Sequence, residues 1–352
     1  MSILADAIAL SLTPFSWRRT IGERLKRGVP PDELLRAVAP PDVDPGQLRV
    51  RLAGEAHSVM TRARARGIAA VSWLDAAYPP ALAAIPDPPP VLWVLGDPAV
   101  LSRPAVALVG SRAGTPYALA VAEQLAGDLA ARGVLVVSGL ARGVDSAAHR
   151  GALAARGATV AVLGSGVDIV YPREHRAMAD AMIVQGAVVS ELAPGTRPLQ
   201  WFFPLRNRII SGLVRAVVIV EAGERSGSLI TARCALEQGR EVLAVPGNVL
   251  GGRNRGGHAL LPDGAKIVET ADDILEELDL PVGGPASQEQ TSRLDRRPGD
   301  PVLASLAPGE PADIEGIVAR TGMAVGRVLA RLCELELGGL VRRTGGGRFV
   351  RP

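Results

Sequence analysis

The stretch Val106-Ala107-Leu108-Val109-Gly110-Ser111-Arg112 decides the fold of this chain. Four apolar, strand-forming residues end in a Gly-Ser turn, and Val121, Leu125 and Leu129 then recur at four-residue spacing. This pattern is typical of a buried parallel strand followed by an amphipathic helix. Such a turn offers backbone N–H groups at the positive end of a helix, which suits phosphate, and Arg112 adds a cation to it.

The same alternation of strand and helix continues from about residue 104 to residue 280 and predicts a doubly wound parallel α/β sheet. The predicted strands are Val106–Val109, Val134–Val137, Thr159–Leu163, Ala187–Val189, Ala216–Val220, Val242–Val245 and Ile267–Val268. The predicted helices lie near residues 115–131, 145–155, 174–185 and 228–238. Before them, Val91–Leu95 is predicted as an edge strand or a lead-in to this domain of residues 76–280.

The flanks of the sheet have a different composition. Residues 1 to about 75 are rich in Ala, Leu and Arg with helical periodicity, which predicts a small helical domain. Residues 281–300 are rich in Gly, Pro, Gln and Arg without a period and are predicted to be a linker. Residues 301–352 are predicted to form a winged-helix domain from three helices and a basic hairpin around Gly345–Gly347. The three helical patterns are Val302–Leu306, Asp313–Arg320 and Val325–Leu337. A winged helix binds duplex DNA or contacts another protein. Arg327 and Arg331 are the only arginines on its helices near the predicted DNA-binding face, and they do not decide between these two functions.

Bulk composition limits the kinds of site that this chain can carry. The net charge is only +3 over 352 residues, so an anion site must come from local clustering of side chains. Cys234 and Cys333 stand outside any CxxC or histidine cluster, which argues against structural zinc and a disulfide framework. The chain shows neither a signal-peptide pattern nor a run of about 18 apolar residues. We therefore expect a cytoplasmic protein with no membrane partner.

Four Gly/Ser turns are predicted to lie at the carboxyl rim of the sheet, where open parallel folds bind ligands. They are Gly110-Ser111-Arg112, Ser138–Gly143, Gly164-Ser165-Gly166 and Ser226-Gly227-Ser228. Together with Arg112, Arg142 and Arg225 they predict an extended anion track. The first turn departs from GxGxxG, and no GxxxxGK[ST] occurs, so the usual NAD and P-loop ATP sites are disfavoured.

An aromatic and basic cluster follows in Trp201-Phe202-Phe203-Pro204-Leu205-Arg206-Asn207-Arg208-Ile209-Ile210. It holds three of the 11 Phe, Trp and Tyr residues of the chain, beside two arginines. Aromatic faces and guanidinium groups are what unpaired bases and a phosphate backbone require. The alternative is that Phe203 and Ile209 belong to the core and that Arg206 pairs with Glu191 or Glu221.

A second constellation would suit acid/base chemistry. Asp145 and His149 are one helical turn apart, and Glu191 and Glu221 each follow a predicted strand. The simpler interpretation is that Asp145 caps the N-terminus of its helix and that His149 packs and hydrogen-bonds locally.

These motifs, in order, resemble those of the DNA-processing protein DprA (Smf) family. The motifs are Val109-Gly110-Ser111-Arg112, Ser138–Asp145 with His149, Tyr171-Pro172, Ser190-Glu191, Phe203–Arg208, Ser226-Gly227-Ser228 with Thr231-Ala232, and Pro246-Gly247. The resemblance covers nearly all of residues 78–270. It implies a Rossmann-like domain between a sterile-alpha-motif-like helical domain and a winged helix. It further implies a non-catalytic protein without a cofactor, which protects single-stranded DNA and helps to load RecA during natural transformation or homologous recombination. The implied protein is a homodimer formed through the Rossmann-like domain.

The resemblance also assigns roles to residues. Arg112 is implied to be the principal phosphate contact, with Gly110 and Ser111 supplying backbone donors. Arg173 follows Tyr171-Pro172, where relatives often carry a basic pocket residue. The remaining predicted DNA-binding residues are Arg142, Phe203, Arg206, Arg208, Ser226, Gly227 and Ser228.

Two other functions stay open from the residues alone. Ser226–Glu237 loosely resembles the glycine-rich loop and helical glutamate of phosphoribohydrolase-like proteins, which would make the chain a nucleotide-processing hydrolase. A winged-helix transcription regulator with a ligand-sensing sheet is the third possibility.

Overall fold

The fold is described from a computed structural model, which covers residues 3–39, 43–280, 300–337, 339–344 and 347–351. The strands of the main sheet are β1 (Ala69–Ser72), β2 (Val91–Gly96), β3 (Ala105–Val109), β4 (Leu135–Ser138), β5 (Thr159–Val162), β6 (Ala187–Ser190), β7 (Ala216–Ile219), β8 (Glu241–Ala244) and β9 (Lys266–Ile267). The helices up to residue 280 are α1 (Ile3–Ser11), α2 (Arg18–Lys26), α3 (Pro31–Val38), α4 (Pro45–Arg64), α5 (Pro80–Ala83), α6 (Pro116–Ala131), α7 (Val144–Ala154), α8 (Arg176–Gln185), α9 (Phe202–Gly212), α10 (Ser228–Glu237), α11 (Arg255–Ala259) and α12 (Ala271–Glu277). Short 3-10 turns lie at Phe15–Trp17, Pro98–Ser102 and Arg173–His175.

The sheet has the strand order β1-β2-β6-β5-β4-β3-β7-β8-β9. Strands β3 to β9 pair in parallel, and β2 pairs antiparallel with both β1 and β6. The chain winds from β3 outward to β6 and then returns to place β7 on the other side of β3. The predicted doubly wound α/β sheet is confirmed, and its switch point lies between β3 and β7, with Val109 beside Ile219.

The two faces of the sheet are covered by different helices. Alternate residues of β3 point to opposite faces, so Ala107 packs in the core beside α9 and α10 while Leu108 packs in the core beside α6 and α7. All five residues of β3 are buried, as a central parallel strand requires. Thr115 starts α6 by accepting the Ala118 N–H, which aims the N-terminus of the helix at the loop after β3.

The N-terminal helices share a core with the sheet. Their buried side chains pack with Trp93 of β2, Leu163 and Met182. The strand Ala69–Ser72 lies within the range predicted to be helical, and it pairs with β2 on the side away from β6. The prediction of an edge strand at Val91–Leu95 is therefore wrong, because the strand there has a neighbour on each side.

The C-terminal segment contains the helices Pro301–Ala304, Ile314–Thr321 and Val325–Leu337, close to the three predicted helical patterns. The strands Arg342–Thr344 and Arg348–Val350 pair antiparallel, so the predicted hairpin is confirmed. Residues 345–346 of its turn, and residues 281–299 of the predicted linker, lie outside the described residues. Across the part of the chain that the structure describes, no helix combines the length and apolar character needed to cross a bilayer.

Candidate functional site

A groove of about 590 Å³ opens at the switch point of the sheet, where the loops after β3 and β7 diverge. This is the place at which doubly wound folds bind ligands. We call it the rim groove. It is lined by Val109, Gly110, Ser111, Arg112, Ala113, Ala141, Asp145, Phe203, Pro204, Arg206, Asn207, Ile210, Gly223, Arg225, Ser226, Gly227, Ser228, Ile230 and Thr231.

The first turn forms one wall of the rim groove. A Cβ atom at Gly110 would lie 2.7 Å from Cγ2 of Val144 and 2.9 Å from the carbonyl oxygen of Glu221, so only glycine fits there. The backbone N–H of Ser111 donates to that same Glu221 carbonyl at 2.7 Å. The prediction that Ser111 offers its N–H to a ligand is therefore wrong, because that donor is already bonded. Arg112 is exposed at the mouth of the groove.

Phe203 stands opposite this turn on α9 and is half-buried. Its ring centroid lies 5.5 Å from the guanidinium carbon of Arg112 and 5.5 Å from that of Arg206. The ring also rests against the third rim turn, because a Cβ atom at Gly164 would come within 2.9 Å of its Cδ1. Residues on three separate elements therefore contact one aromatic side chain, and two of them are cations.

Arg206 lies at the floor of the rim groove and is almost fully buried. Its Nη1 donates to the carbonyl oxygens of Gly139 and of Val162, the latter at 2.8 Å. Burial lowers the pKa of Arg206 to about 10, and Asp145 opposes that shift. The side chain thus ties the rim turn after β4 and the end of β5 to α9, and these donors are used inside the protein. It pairs with neither Glu191 nor Glu221, so that part of the alternative is wrong, whereas the expectation that Ile209 belongs to the core is confirmed.

The fourth turn closes the groove on the β7 side. The hydroxyls of Ser226 and Ser228 share a hydrogen bond of 2.7 Å, and Asn207 Nδ2 donates to the Gly227 carbonyl at 3.3 Å. Arg225 is exposed beside them. Sequence reasoning missed Asn207 and Ile210 as groove residues. The helical spacing from Phe203 to positions four and seven residues later would have found both.

Arg208 does not lie in the rim groove, so the prediction that it lines the groove with Arg206 is wrong. Residues two apart on a helix point to different faces, and Arg208 faces the N-terminal helices. Its Nε donates to Asp87 at 2.7 Å and its Nη2 to Glu191 at 2.7 Å. Arg18 of α2 forms a second ion pair with the same carboxylate of Glu191. The four residues form a network between α2 and α9, in which Arg18, Arg208 and Glu191 are buried and Asp87 is partly exposed.

The charges in this network respond differently to burial. Burial lowers the pKa of Arg18 more than the attraction of Glu191 raises it. Burial also lowers the pKa of Arg208, but Glu191 and Asp87 together outweigh it and the net shift is upward. The difference follows from the number of carboxylates, because Arg18 contacts one and Arg208 contacts two.

Two further predicted residues lie outside the lining of the rim groove. Arg142 is exposed next to groove residue Ala141 and pairs with Glu174. Arg173 is exposed in the 3-10 turn that precedes α8. The structure therefore brings together eight of the eleven predicted DNA-binding residues and leaves Arg142, Arg173 and Arg208 outside the groove.

The acidic residues near the groove are engaged within the protein. Asp145 is the second residue of α7 and accepts the Ala141 N–H at 3.2 Å, so it is not the N-cap, a position that Gly143 occupies. Burial raises the pKa of Asp145, and Arg206 partly offsets this. Both carboxylate oxygens of Glu221 accept hydrogen bonds from Thr115.

His149 is buried beneath the rim on α7. The Thr159 hydroxyl donates to the Val136 carbonyl and therefore accepts a hydrogen bond from His149 Nδ1 at 2.8 Å. Burial lowers the pKa of this histidine to about 3. The prediction of a packed, hydrogen-bonded histidine is confirmed, although its partner lies on the neighbouring strand β5.

The basic residues of the C-terminal segment are divided between structural and exposed positions. Arg331 pairs with Asp300 and with Glu334, so its charge is used within the segment. Arg327 is exposed on the same helix, and the guanidinium of Arg343 lies over the ring of Phe349.

The chain is similar to proteins of one family over most of its length. The profile of the DNA recombination-mediator protein A family matches residues 69–279, and that of the DprA winged helix domain matches residues 285–347. The chain is 42% identical over 280 residues to Protein Smf of Escherichia coli (strain K12), covering 78% of this chain and 75% of that protein. It is 42% identical over 221 residues to the DNA processing protein DprA of Bacillus subtilis (strain 168), covering 62% of this chain and 74% of the relative.

Two solved structures are similar in fold. The X-ray structure of DNA processing protein A from Streptococcus pneumoniae superposes with a TM-score of 0.69 at 33% identity, covering 80% of this chain and all (100%) of the other. A structure of DNA processing protein A from Helicobacter pylori, described for its single-stranded DNA binding mode, superposes with a TM-score of 0.54 at 28% identity. That match covers 60% of this chain and 95% of the other.

Proposed function

The chain belongs to the DNA recombination-mediator protein A (DprA) family, and from that premise we propose that it binds single-stranded DNA in the rim groove and helps to load RecA onto the bound strand. One observation carries the proposal. Exposed Arg112 lies 5.5 Å from the ring of half-buried Phe203 at the switch point of the sheet. A cation for phosphate and a π-face for a base thus lie side by side.

The preference for single strands follows from the aromatic contact. The ring of Phe203 stacks only on a base whose face is free, and the bases of a duplex cover one another's faces. Arg112 and Arg225 are both exposed, and neither forms an ion pair with another described residue. Their guanidinium groups therefore meet phosphate without first breaking a salt bridge. The relative from Helicobacter pylori, whose structure is described for its single-stranded DNA binding mode, supports the same class of ligand for this chain.

The hydrolase alternative has less support, because the carboxylates that it would need are already occupied. Glu221 accepts hydrogen bonds from Thr115 at the start of α6, and Asp145 accepts the Ala141 N–H beside Arg206. Both carboxylates hold the rim turns in place. We propose that the protein is not an enzyme.

The link to recombination rests on the family, whose description names a recombination mediator. We propose that the protein works in the cytoplasm, where it holds incoming or exposed single strands while RecA nucleates, during natural transformation or general recombination. We further propose a homodimer formed through the Rossmann-like domain. The edge strand β9 exposes the apolar side chain of Ile267, and the loop after β8 exposes Val249 and Leu250, which supports a protein contact of this domain.

The test is a titration of labelled single-stranded DNA, duplex DNA and a mononucleotide, followed by fluorescence anisotropy at several salt concentrations. Arg112→Ala should weaken single-strand binding similarly for all sequences. It should also lower the slope of log affinity against log salt by about 0.7 to 1, as expected for the loss of one phosphate contact. Arg103→Ala is the matched control, because Arg103 is an exposed arginine just before β3, at the opposite end of the sheet.

Three outcomes would contradict the proposal. Tight, salt-insensitive binding by Arg112→Ala would remove Arg112 from the DNA contact. Equal affinity for duplex and single-stranded DNA would indicate that the winged helix is the DNA-binding domain, and would favour the transcription-regulator hypothesis. Turnover of a mononucleotide that is lost on Asp145→Asn would favour the hydrolase. RecA loading is tested separately, by measuring RecA filament formation on strands coated with single-strand-binding protein, with and without this protein.

A further inference from the structure

Tyr171 carries an aromatic side chain beside the rim groove but is not one of the residues that line the groove. It is 45% exposed, whereas Tyr78 is buried and Tyr117 is partly buried. Its ring centroid lies 5.5 Å from that of Phe203, with an angle of 38° between the ring planes. Tyr171 is thus the exposed neighbour of the residue that carries the proposed base contact.

The exposure of Tyr171 does not result from a loose loop. Within the loop after β5, the Ser165 hydroxyl donates to the Ile169 carbonyl at 2.6 Å. The Gly166 N–H donates to the Thr196 carbonyl at 2.9 Å. The next residue, Pro172, is buried. These contacts fix the loop around Tyr171, so its ring lies at the surface where a base can reach it.

The surroundings of Tyr171 match a nucleic-acid strand. On one side stand Phe203 and Arg112, whose ring centroid and guanidinium carbon are 5.5 Å apart. Arg173, two residues later in the chain, is also exposed. Arg112, Phe203 and Tyr171 are therefore linked by successive contacts of one cation and two aromatic rings. Because the two rings are inclined by 38°, one planar base cannot lie flat on both, so each ring suits a base of its own.

We propose that Tyr171 is a second base-stacking residue, which extends the bound strand beyond the rim groove by at least one nucleotide. This inference rests on the proposed binding of single-stranded DNA and adds a direction to it. The strand runs from Arg112 over Phe203 and onto Tyr171. Stacking on an aromatic face depends little on base identity, so the added contact tolerates any sequence.

The experiment compares Tyr171→Ala, Tyr171→Leu and Tyr171→Phe in the full chain, with oligothymidylate and an abasic oligonucleotide of equal length. Tyr171→Ala should weaken binding of oligothymidylate by about 5- to 150-fold, the range expected when one base loses its aromatic partner. Tyr171→Leu should weaken it similarly, because leucine keeps an apolar contact with Phe203 but has no aromatic face. Tyr171→Phe should bind like the natural protein.

Two readouts separate stacking from a structural role. The abasic oligonucleotide should bind all four proteins equally, because it carries no base to stack. The salt slope should also stay unchanged in every variant, since the phosphate contacts remain. Thermal unfolding of each variant checks that the fold persists.

Three results would overturn the proposal. One is unchanged binding of oligothymidylate by Tyr171→Ala, and another is recovery of full affinity by Tyr171→Leu. The third is an equal loss of affinity on the abasic oligonucleotide, which would assign Tyr171 a supporting role for the groove. If the natural protein itself fails to bind single strands, the proposed function fails first, and that result is seen before any variant is compared.

Discussion

Replacement of Glu191 by alanine tests the buried ion-pair network between α2 and α9. Glu191 is 4% exposed and forms ion pairs with both Arg18 and Arg208. Its removal leaves two buried guanidinium groups near each other, with Asp87 as the remaining carboxylate beside Arg208. Arg18 then has no ion-pair partner among the described residues, and only the more distant charge of Asp87 attracts it.

The expected loss of stability is large because both arginines are out of water. Removing one partner of a buried ion pair typically lowers the free energy of unfolding by about 3–5 kcal/mol. Glu191 serves two cations, which places the expected loss near the upper end of that range. A domain of this kind has a total free energy of unfolding of roughly 5–15 kcal/mol, so the variant should be only marginally folded.

The assay is equilibrium unfolding in urea, followed by circular dichroism, with Glu23→Ala as the control. Glu23 pairs with Arg19 on the surface, where the side chains are 50% and 83% exposed, and its loss should lower the free energy of unfolding by at most about 1 kcal/mol. Arg18→Ala should fall between the two, because Glu191 keeps Arg208 as its partner. A loss below about 1 kcal/mol in Glu191→Ala would refute the reasoning and show that water reaches the network.

Two further predictions concern the residues around the rim. Burial lowers the pKa of His149 to about 3 in the folded protein, against about 6.5 in the unfolded chain, so folding favours the neutral imidazole. The contribution of this group to the free energy of unfolding is complete above about pH 6.5 and is lost as the pH falls toward about 3. From this group alone, the free energy of unfolding should be about 2 kcal/mol lower at about pH 5 than at about pH 8. In urea unfolding curves, His149→Gln should abolish this part of the pH dependence, whereas His57→Gln, at an exposed position, should leave it unchanged. The same pH dependence in both variants would contradict the role given to His149. Gly164→Ala places a Cβ atom 2.9 Å from the Phe203 ring and should weaken single-strand binding about tenfold by displacing that ring. Gly54→Ala on α4 is the control, because a Cβ atom at Gly54 meets no atom within 4 Å. It should leave binding unchanged and raise the free energy of unfolding by about 0.5–1 kcal/mol. Equal affinities of the two variants in anisotropy titrations would contradict a base contact by Phe203.

Much of the site could be predicted because strand-turn-helix patterns are local. The run from Val106 to Arg112 and the alternation that follows it were sufficient for a doubly wound sheet. In such a sheet, turns that follow parallel strands meet at one rim, whatever the strand order. The confirmed sheet brings the turns at Gly110 and Ser226 into one groove with Phe203. The sequence could not supply the strand order, because pairing is decided by contacts between distant segments.

The sequence by itself determined the sheet, the rim turns and the presence of an aromatic and basic cluster among them, but it did not predict that this cluster forms the helix α9. Only the tertiary structure decided which arginine serves which purpose. Arg206 and Arg208 are two residues apart with the same chemistry, yet one anchors the rim turns and the other pairs with Asp87 and Glu191. Their roles differ because successive helical positions face different neighbours, and those neighbours come from segments far away in the chain. The ring contact between Tyr171 and Phe203 arises in the same way.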